Sequence, residues 1–218
     1  MFNQKSRVKG PFLVAITGTL GSGKSSVLSI LKGLGYPCID VDSLARRILH
    51  EDKSVVEEVK SVFGPDIVDE QGGIDRAKLR SIIINDPGKR KRLEEIIHPR
   101  VMELLNEYLN ALIRNLGDSK DKHFIFVEVP LLFEAGWEPY FDSTVCVVTS
   151  KEQAISRVVQ RHGVDFETAV GWYDLQWPID EKTKRADFIV INEGSLEDLK
   201  QEVQRLLVDL ERKHLVAH

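Results

Sequence analysis

Five short, mostly apolar runs are spaced along the chain, and segments with helical periodicity separate them. The runs are rich in β-branched and aromatic residues and lack polar alternation, which is typical of parallel strands covered on both faces. They are Phe12–Ile16, Pro37–Val41, Phe124–Val127, Thr144–Val148 and Phe188–Ile191. Strands that alternate with helices in this way predict an α/β fold built on a doubly wound parallel sheet.

The first run leads into a glycine-rich segment, Gly18-Thr19-Leu20-Gly21-Ser22-Gly23-Lys24-Ser25, and a helix-like stretch follows it. This segment fits the phosphate-binding pattern G-x-x-x-x-G-K-[ST] at every fixed position. Glycines let the backbone curve around an anion, Lys24 would neutralise β- and γ-phosphate charge, and the Ser25 hydroxyl would bind Mg²⁺. The alternative is a Gly/Ser-rich turn with a surface lysine. The nucleotide-binding residues predicted here are Gly18, Gly21, Ser22, Gly23, Lys24, Ser25 and Ser26.

Two long helical segments interrupt the alternation. The first, about residues 43–117, lies between the second and third strands and is predicted to be a helical insertion. The second, about residues 151–183, lies between the last two strands, where a P-loop kinase carries a closing lid. The helices predicted within the insertion are Ser54–Phe63, Asp75–Ile84, Lys89–Ile97 and Val101–Asn115.

These segments together predict one domain over residues 12–218, preceded by an N-terminal extension, residues 1–11. The fold class is a P-loop NTPase three-layer sandwich with a five-stranded parallel sheet. Its core would comprise residues 12–42, 118–150 and 184–218.

Composition narrows the possible functions. The chain has 218 residues, 42% of them hydrophobic, and a formal net charge of −4. No stretch is basic enough for a nucleic-acid footprint, and none reaches the ~20 apolar residues of a membrane span. Cys38 and Cys146 lie far apart in apolar runs and are predicted to be buried thiols, without a disulfide or metal site. The polar, basic segment Met1–Gly10 lacks the apolar core of a signal peptide, so a cytoplasmic protein is expected.

Acidic residues lie at the ends of two predicted strands. Asp42 ends the second strand, and its carboxylate could accept a proton from a hydroxyl that attacks the γ-phosphate. Strand alternation predicts that Asp40 and Asp42 point the same way; Asp40 fits a structural or metal-shell role, and helix capping is the alternative for Asp42. Glu128 closes the third strand and could hold Mg²⁺ through water.

Several cations and one histidine are candidates for binding or catalysis. Arg46, four residues after Asp42, could bind a substrate phosphate, or could form an ordinary surface pair. Arg157 and Arg161 would share one face of a lid helix and neutralise the transferring phosphoryl group, unless that face is simply solvated. The remaining basic residues near the lid end are predicted to be solvated, and His98-Pro99 is predicted to end one helix and start another. Those basic residues are Lys182, Lys184 and Arg185.

The ordered set of motifs resembles dephospho-coenzyme A kinases over about Leu13–Gly194. Beyond the phosphate loop, the shared elements are Ile39–Arg46, Gly72–Arg76 followed by Leu79, His98-Pro99, Val129–Glu134, Arg157 with Arg161, Gln176 with Pro178, and Ala186–Asn192. That family transfers the ATP γ-phosphate to the ribose 3′-hydroxyl of dephospho-CoA, the last step of coenzyme A synthesis.

The resemblance implies ATP and Mg²⁺ as cofactors and dephospho-CoA as the small-molecule substrate, in a monomer or homotrimer. It implies that Asp42 is the catalytic base, that the insertion binds CoA and that residues 157–178 form the lid. It also places Asn192 near adenine. Residues in the matching motifs are predicted to bind substrate: Asp42, Arg46, Asp75, Arg76, His98, Pro130 and Leu131.

Three positions depart from the common pattern of that family. Thr19 occupies a variable loop position, Glu128 stands where many members have Asp, and Trp172 stands where many have a lid arginine. Two other classes of function remain open at this point. One is another small-molecule P-loop kinase, acting on a nucleoside monophosphate or a shikimate-like alcohol; the other is a nucleotide-binding switch or an inactive nucleotide-binding relic.

Overall fold

Five parallel strands form one sheet in the computed structural model, which describes residues 11–116 and 124–217. The strands are β1 (Phe12–Gly18), β2 (Cys38–Asp40), β3 (Phe124–Glu128), β4 (Ser143–Val148) and β5 (Phe188–Ile191). Their order across the sheet is β2-β3-β1-β4-β5, and every neighbouring pair is parallel. The predicted α/β fold with a five-stranded parallel sheet is therefore confirmed.

The helices occupy two compact units of the chain. One unit, Val41–Asn115, contains α2 (Val41–Glu51), α3 (Lys53–Phe63), α4 (Arg76–Asn85) and nearly all of α5 (Pro87–Leu116). The other contains the sheet with α1 (Lys24–Gly33), α6 (Lys151–His162), α7 (Phe166–Asp174), α8 (Ile179–Arg185) and α9 (Leu196–Ala217). The roles of insertion, lid and extension stay predictions. Residues 1–10 of the predicted extension, residue 117 of the predicted insertion, and residues 118–123 and 218 of the predicted core lie outside the described residues.

The sheet is buried on both faces at its centre. On one face, β1 residues Phe12, Val14 and Ile16 pack in a core shared with α1 and α9. The alternate residues Leu13 and Ala15 are also at most 1% exposed. Because both faces of β1 are covered, an apolar run without alternation is the sequence that this position requires.

At the sheet edge, β5 departs from that pattern. Val190 is buried, whereas Ile189 and Ile191 are about half exposed. Only one face of β5 is thus covered within the described part of the chain.

In the Val41–Asn115 unit, Asp52 joins α3 to α5. Its carboxylate caps α3 by accepting hydrogen bonds from Ser54 and Val55, and Arg100 of α5 contacts it at 2.8 Å. Hydrogen bonds from Ser54, Val55 and Arg100 outweigh the effect of burial and lower the pKa of Asp52 from 3.8 to about 2. The carboxylate that caps α3 is therefore ionised at neutral pH.

The predicted helix break at His98-Pro99 is wrong, because α5 runs through Pro99 as one helix of 30 residues. A proline inside a helix costs about 3 kcal/mol. Burial of one apolar stripe on both sides of Pro99 outweighs this cost, since each buried Leu or Ile contributes about 1.5–3 kcal/mol. The buried residues of this stripe are Leu93, Ile96, Ile97, Val101, Leu105 and Leu109.

Candidate active site

The glycine-rich segment forms a tight loop between β1 and α1. Gly21 and Gly23 have φ values of +78° and +93°, which side chains rarely adopt. A Cβ on Gly21 would collide with the Ala154 backbone, and one on Gly23 would collide with the side-chain amide of Asn192. Gly23 offers no side-chain acceptor to the first-turn amides of α1, an arrangement in which a helix N-terminus can bind an anion.

Lys24 places a positive charge against the first half of this loop. The residue is only 7% exposed, and its Nζ donates hydrogen bonds to the carbonyls of Gly18 at 3.1 Å and Thr19 at 2.9 Å. Ser25 and Ser26 follow it and are exposed in the first turn of α1. The loop thus presents a cation, a helix start and two hydroxyls together, as the sequence pattern requires.

Asn192, just after β5, supports the loop from the protein side. Its Nδ2 donates to the Ser22 carbonyl at 2.8 Å, and its own carbonyl accepts from Thr149 Oγ1 at 2.9 Å. The residue is 7% exposed. Bracing of the phosphate loop is therefore a structural role that the sequence pattern did not indicate, and its placement near adenine stays a prediction.

The two arginines of α6 that were predicted to act in catalysis differ in their surroundings. Arg157 lies on α6 and donates to the carbonyls of Gly21 at 3.3 Å and Asn192 at 3.1 Å, with a longer bond of 3.5 Å to Ser22. Arg161, one turn later, is exposed. Arg157 therefore stabilises the phosphate loop through its hydrogen bonds, whereas the side chain of Arg161 is accessible to solvent.

Two acidic residues lie side by side at the carboxyl edge of the sheet. Asp40 ends β2 and Glu128 ends β3, and the two are register partners in adjacent parallel strands. Glu128 also pairs in register with Ile16, two residues before the loop begins, and is 8% exposed. Hard oxygen ligands of this kind suit Mg²⁺, which often takes one or two carboxylates together with substrate phosphates and water.

Within residues 11–116 and 124–217, no group of three or more His, Cys, Asp or Glu could hold a metal by itself. Glu128 and Ser25 remain the predicted protein contributors to a magnesium site.

The prediction that Asp42 ends the second strand is wrong by two residues. β2 ends at Asp40 and α2 begins at Val41, so Asp42 lies exposed in the first turn of a helix. The alternation argument for Asp40 and Asp42 therefore does not apply. Asp40 holds the position before the helix, and the helix-capping alternative for Asp42 stays a prediction.

Asp42 belongs to a cluster of charged side chains in the Val41–Asn115 unit. Partial burial and then the guanidinium groups of Arg46 and Arg80 lower the pKa of Arg76, and Asp42 opposes that effect. Arg46 and Arg76 also line a cavity of about 500 Å³. Arg46 and Arg76 thus line one cavity, and Asp42 and Arg80 act on Arg76 through their charges. The spacing of four between Arg76 and Arg80 on α4 could have indicated Arg80.

Asp75 lines the same cavity as Arg46 and Arg76, whereas the other predicted substrate residues lie in α5 and in the turn after β3. Asp75 is the N-cap of α4 and accepts hydrogen bonds from the backbone N–H groups of Ala77 at 3.0 Å and Lys78 at 3.1 Å. His98 lies half-buried in α5, where burial lowers its pKa. Pro130 and Leu131 belong to the unit that contains the sheet, in the turn that follows β3.

The prediction that Lys182 is solvated is wrong. Its side chain is 0% exposed, and its Nζ lies 2.7 Å from the carboxylate of Glu134. Lys184 and Arg185 are exposed, as expected. An acidic residue in the otherwise apolar stretch around Phe133 could have signalled a buried partner, because a buried carboxylate needs one.

The cysteines and Trp172 lie in packed parts of the structure. Cys146 is buried, Cys38 is half-buried, and both are free thiols. Burial raises the pKa of each thiol to about 11. Trp172 packs against the apolar cluster of α6 and α7 around Tyr173, and its ring meets that of His162 edge-on at a centroid distance of 5.6 Å.

Among the described residues, no helix combines the length and the hydropathy that a transmembrane span requires.

Comparison with known proteins identifies the family of the chain. The family model for dephospho-CoA kinase matches residues 12–198. A dephospho-CoA kinase from Thermus thermophilus is 39% identical over 202 residues, 93% of either chain. One from Geobacillus kaustophilus is 33% identical over 194 residues, 89% of this chain and 94% of the relative.

Solved structures give the same result. A crystal structure of a Thermus thermophilus protein has a TM-score of 0.77 and 39% identity, covering 93% of this chain and 99% of that one. Dephospho-CoA kinase from Campylobacter jejuni has a TM-score of 0.65 and 31% identity, covering 93% and 98%. With its phosphate loop and five-stranded sheet, the chain therefore belongs to the dephospho-CoA kinase family.

Proposed function

We propose that the chain transfers the γ-phosphate of ATP to the ribose 3′-hydroxyl of dephospho-CoA, yielding coenzyme A and ADP. The observation that carries this proposal is the charge cluster of Asp42 with Arg46, Arg76 and Arg80, in a chain that also has a complete phosphate loop. A kinase for an anionic alcohol needs a proton acceptor beside cations, and this cluster supplies both.

The phosphate loop would bind the donor. Main-chain amides of residues 18–25 and the start of α1 favour the triphosphate oxygens, and Lys24 adds a positive charge. Arg157 would keep the loop in shape through its bonds to Gly21 and Ser22. Arg161, exposed on the same helix, is the arginine available to stabilise charge on the transferring phosphoryl group.

The acceptor would be activated and positioned by the Val41–Asn115 unit. The 3′-oxygen attacks the γ-phosphorus, the bond from that phosphorus to the β,γ-bridging oxygen breaks, and ADP leaves. Asp42 receives the hydroxyl proton. The guanidinium groups of Arg46 and Arg76 would hold the diphosphate of the substrate, since their planar donors match phosphate oxygens.

Mg²⁺ would be held by the Ser25 hydroxyl and, through water, by Glu128, and it would neutralise phosphate charge when bound. Support for this comes from the exposed position of Ser25 and from the carboxylate pair of Asp40 and Glu128. A monomeric or homotrimeric state and a cytoplasmic location stay predictions from the sequence.

A panel of acceptors tests the proposal. ADP release would be measured with ATP and dephospho-CoA, a nucleoside monophosphate or shikimate as acceptor. We expect kcat/KM for dephospho-CoA to exceed that for each other acceptor by at least about a hundredfold, because unpaired polar groups penalise a wrong substrate. Comparable turnover of shikimate or a nucleotide would reject the substrate assignment.

A further inference from the structure

Lys182 carries a buried charge. This charge has no role in the nucleotide binding or the proton transfer proposed for the chain. Its side chain is 0% exposed on α8, and its Nζ lies 2.7 Å from Glu134 Oε1. The same Nζ donates to the Pro130 carbonyl at 3.0 Å. Burying such a pair is expensive in desolvation, and apolar residues of similar size often serve stability as well or better. A specific positional role explains the pair better than stability does.

The Pro130 carbonyl links Lys182 to the residue that precedes the phosphate loop. Besides Lys182, it accepts a hydrogen bond from Thr17 Oγ1 at 3.2 Å. Thr17 directly precedes Gly18, the first residue of the loop, and Pro130 comes two residues after Glu128. One carbonyl therefore joins the end of β1, the turn after β3 and the helix α8.

Two further bonds attach the segment before α8 to the same region. The backbone N–H of Leu20, inside the phosphate loop, donates to Gln176 Oε1 at 2.6 Å. The backbone N–H of Trp177 donates to Glu134 Oε1 at 3.1 Å, on the oxygen that also contacts Lys182. The stretch from Gln176 to Lys182 thus holds the loop and the turn after β3 at several points.

We infer that Lys182 is a positioning residue for phosphoryl transfer, acting with Glu134 through the Pro130 carbonyl. It fixes the turn that contains Pro130, and the adjacent end of β3 with Glu128, against the start of the phosphate loop. This inference rests on the proposed function. Loss of the hydrogen bond from Lys182 to Pro130 would shift Glu128 and the start of the phosphate loop without removing either of them. The expected effect is therefore a lower kcat.

Paired substitutions separate positioning from stability. Lys182→Met leaves a buried carboxylate unpaired and should lower both the melting temperature and kcat. Lys182→Met combined with Glu134→Gln removes both charges and keeps an acceptor for Trp177, so the melting temperature should recover. Lys184→Met is the matched control, because Lys184 is an exposed lysine of the same helix that pairs with Glu181.

The experiment measures melting temperature, kcat and the KM for ATP with dephospho-CoA as acceptor. We expect kcat of the double variant to stay at least about tenfold below wild type despite its recovered stability, with little change in KM for ATP. Thr17→Val removes the other donor to the Pro130 carbonyl and should also lower kcat. This variant tests the inference if the Lys182 variants do not fold.

Recovery of kcat together with stability in the double variant would overturn the inference, as would a normal kcat in Lys182→Met or in Thr17→Val. Absence of turnover by the unmodified chain is a separate result, since it would reject the proposed function itself.

Discussion

Replacing Gly23 with alanine tests whether the phosphate loop is shaped by contacts inside the protein. A Cβ at this position would collide with the side-chain amide of Asn192, and the backbone has a φ of +93°. The Asn192 amide would then have to move away from the Ser22 carbonyl, to which it donates at 2.8 Å. The substitution therefore combines backbone strain with the loss of a buried hydrogen bond.

The expected cost follows from these two effects. Left-handed backbone costs a non-glycine residue about 1–2 kcal/mol. A lost hydrogen bond costs about 1 kcal/mol. Replacing glycine by alanine also lowers the conformational entropy of the unfolded chain, which stabilises the folded state by about 0.4–1 kcal/mol. The free energy of unfolding should thus fall by roughly 1–2.5 kcal/mol.

Urea unfolding without nucleotide measures this value, and a double-mutant cycle with Asn192→Ala tests its cause. Both single variants lose the same bond to Ser22, so the double variant should be about 1 kcal/mol more stable than the sum of the single effects predicts. Gly33→Ala, at the end of the same helix with open space around its Cβ, is the control and should stabilise by about 0.5–1 kcal/mol.

Additive losses in the cycle would refute the contact between Gly23 and Asn192 as the cause. A Gly23→Ala variant as stable as the wild type would refute the strain argument as well.

Four further substitutions test individual roles. Asp42→Asn should lower kcat at least about a hundredfold while KM for ATP stays near wild type, since the carboxylate acts on the acceptor; near-normal turnover would reject it as the base. Arg157→Met should lower the melting temperature and raise KM for ATP, whereas Arg161→Met should lower kcat at unchanged stability; equal stability losses would contradict the difference in burial. Asp52→Ala should lower the free energy of unfolding by about 1 kcal/mol, because it removes the side chain that caps α3.

The pH dependence of unfolding provides a second measurement on Asp52. Its pKa is depressed in the folded state, so its contribution is present above the ordinary value of 3.8 and is lost as pH falls through about 2. Unfolding free energy of the wild type should therefore fall over this window more steeply than that of Asp52→Asn. Parallel curves for the two proteins would contradict the assigned pKa.

Features that depend on neighbours along the chain could be predicted from the sequence. The five strands follow from apolar runs such as Phe12–Ile16, because burial on both faces leaves no room for polar alternation. The phosphate loop follows from fixed spacing, which runs from Gly18 at the end of β1 to Lys24 at the start of α1. Both depend on local residue order, which the sequence displays directly.

Features that depend on contacts between residues far apart in the sequence could not be predicted in this way. Lys182 looked like an ordinary lysine of a charged helix until Glu134 and the Pro130 carbonyl were placed beside it. Asn192 likewise supports Ser22 across 170 positions of sequence. Pro99 misled the helix prediction because local propensity favoured a break, whereas tertiary burial kept α5 continuous.

The central claim is transfer of one phosphate from ATP to a single hydroxyl of dephospho-CoA. Its most direct test compares dephospho-CoA with its 3′-deoxy analogue and quantifies ADP and phosphorylated product by mass spectrometry. Equal amounts of ADP and coenzyme A from the natural acceptor, with no phosphorylated product from the analogue, is the predicted result. Phosphorylation of the 3′-deoxy analogue, or ADP release without coenzyme A, would contradict the claim.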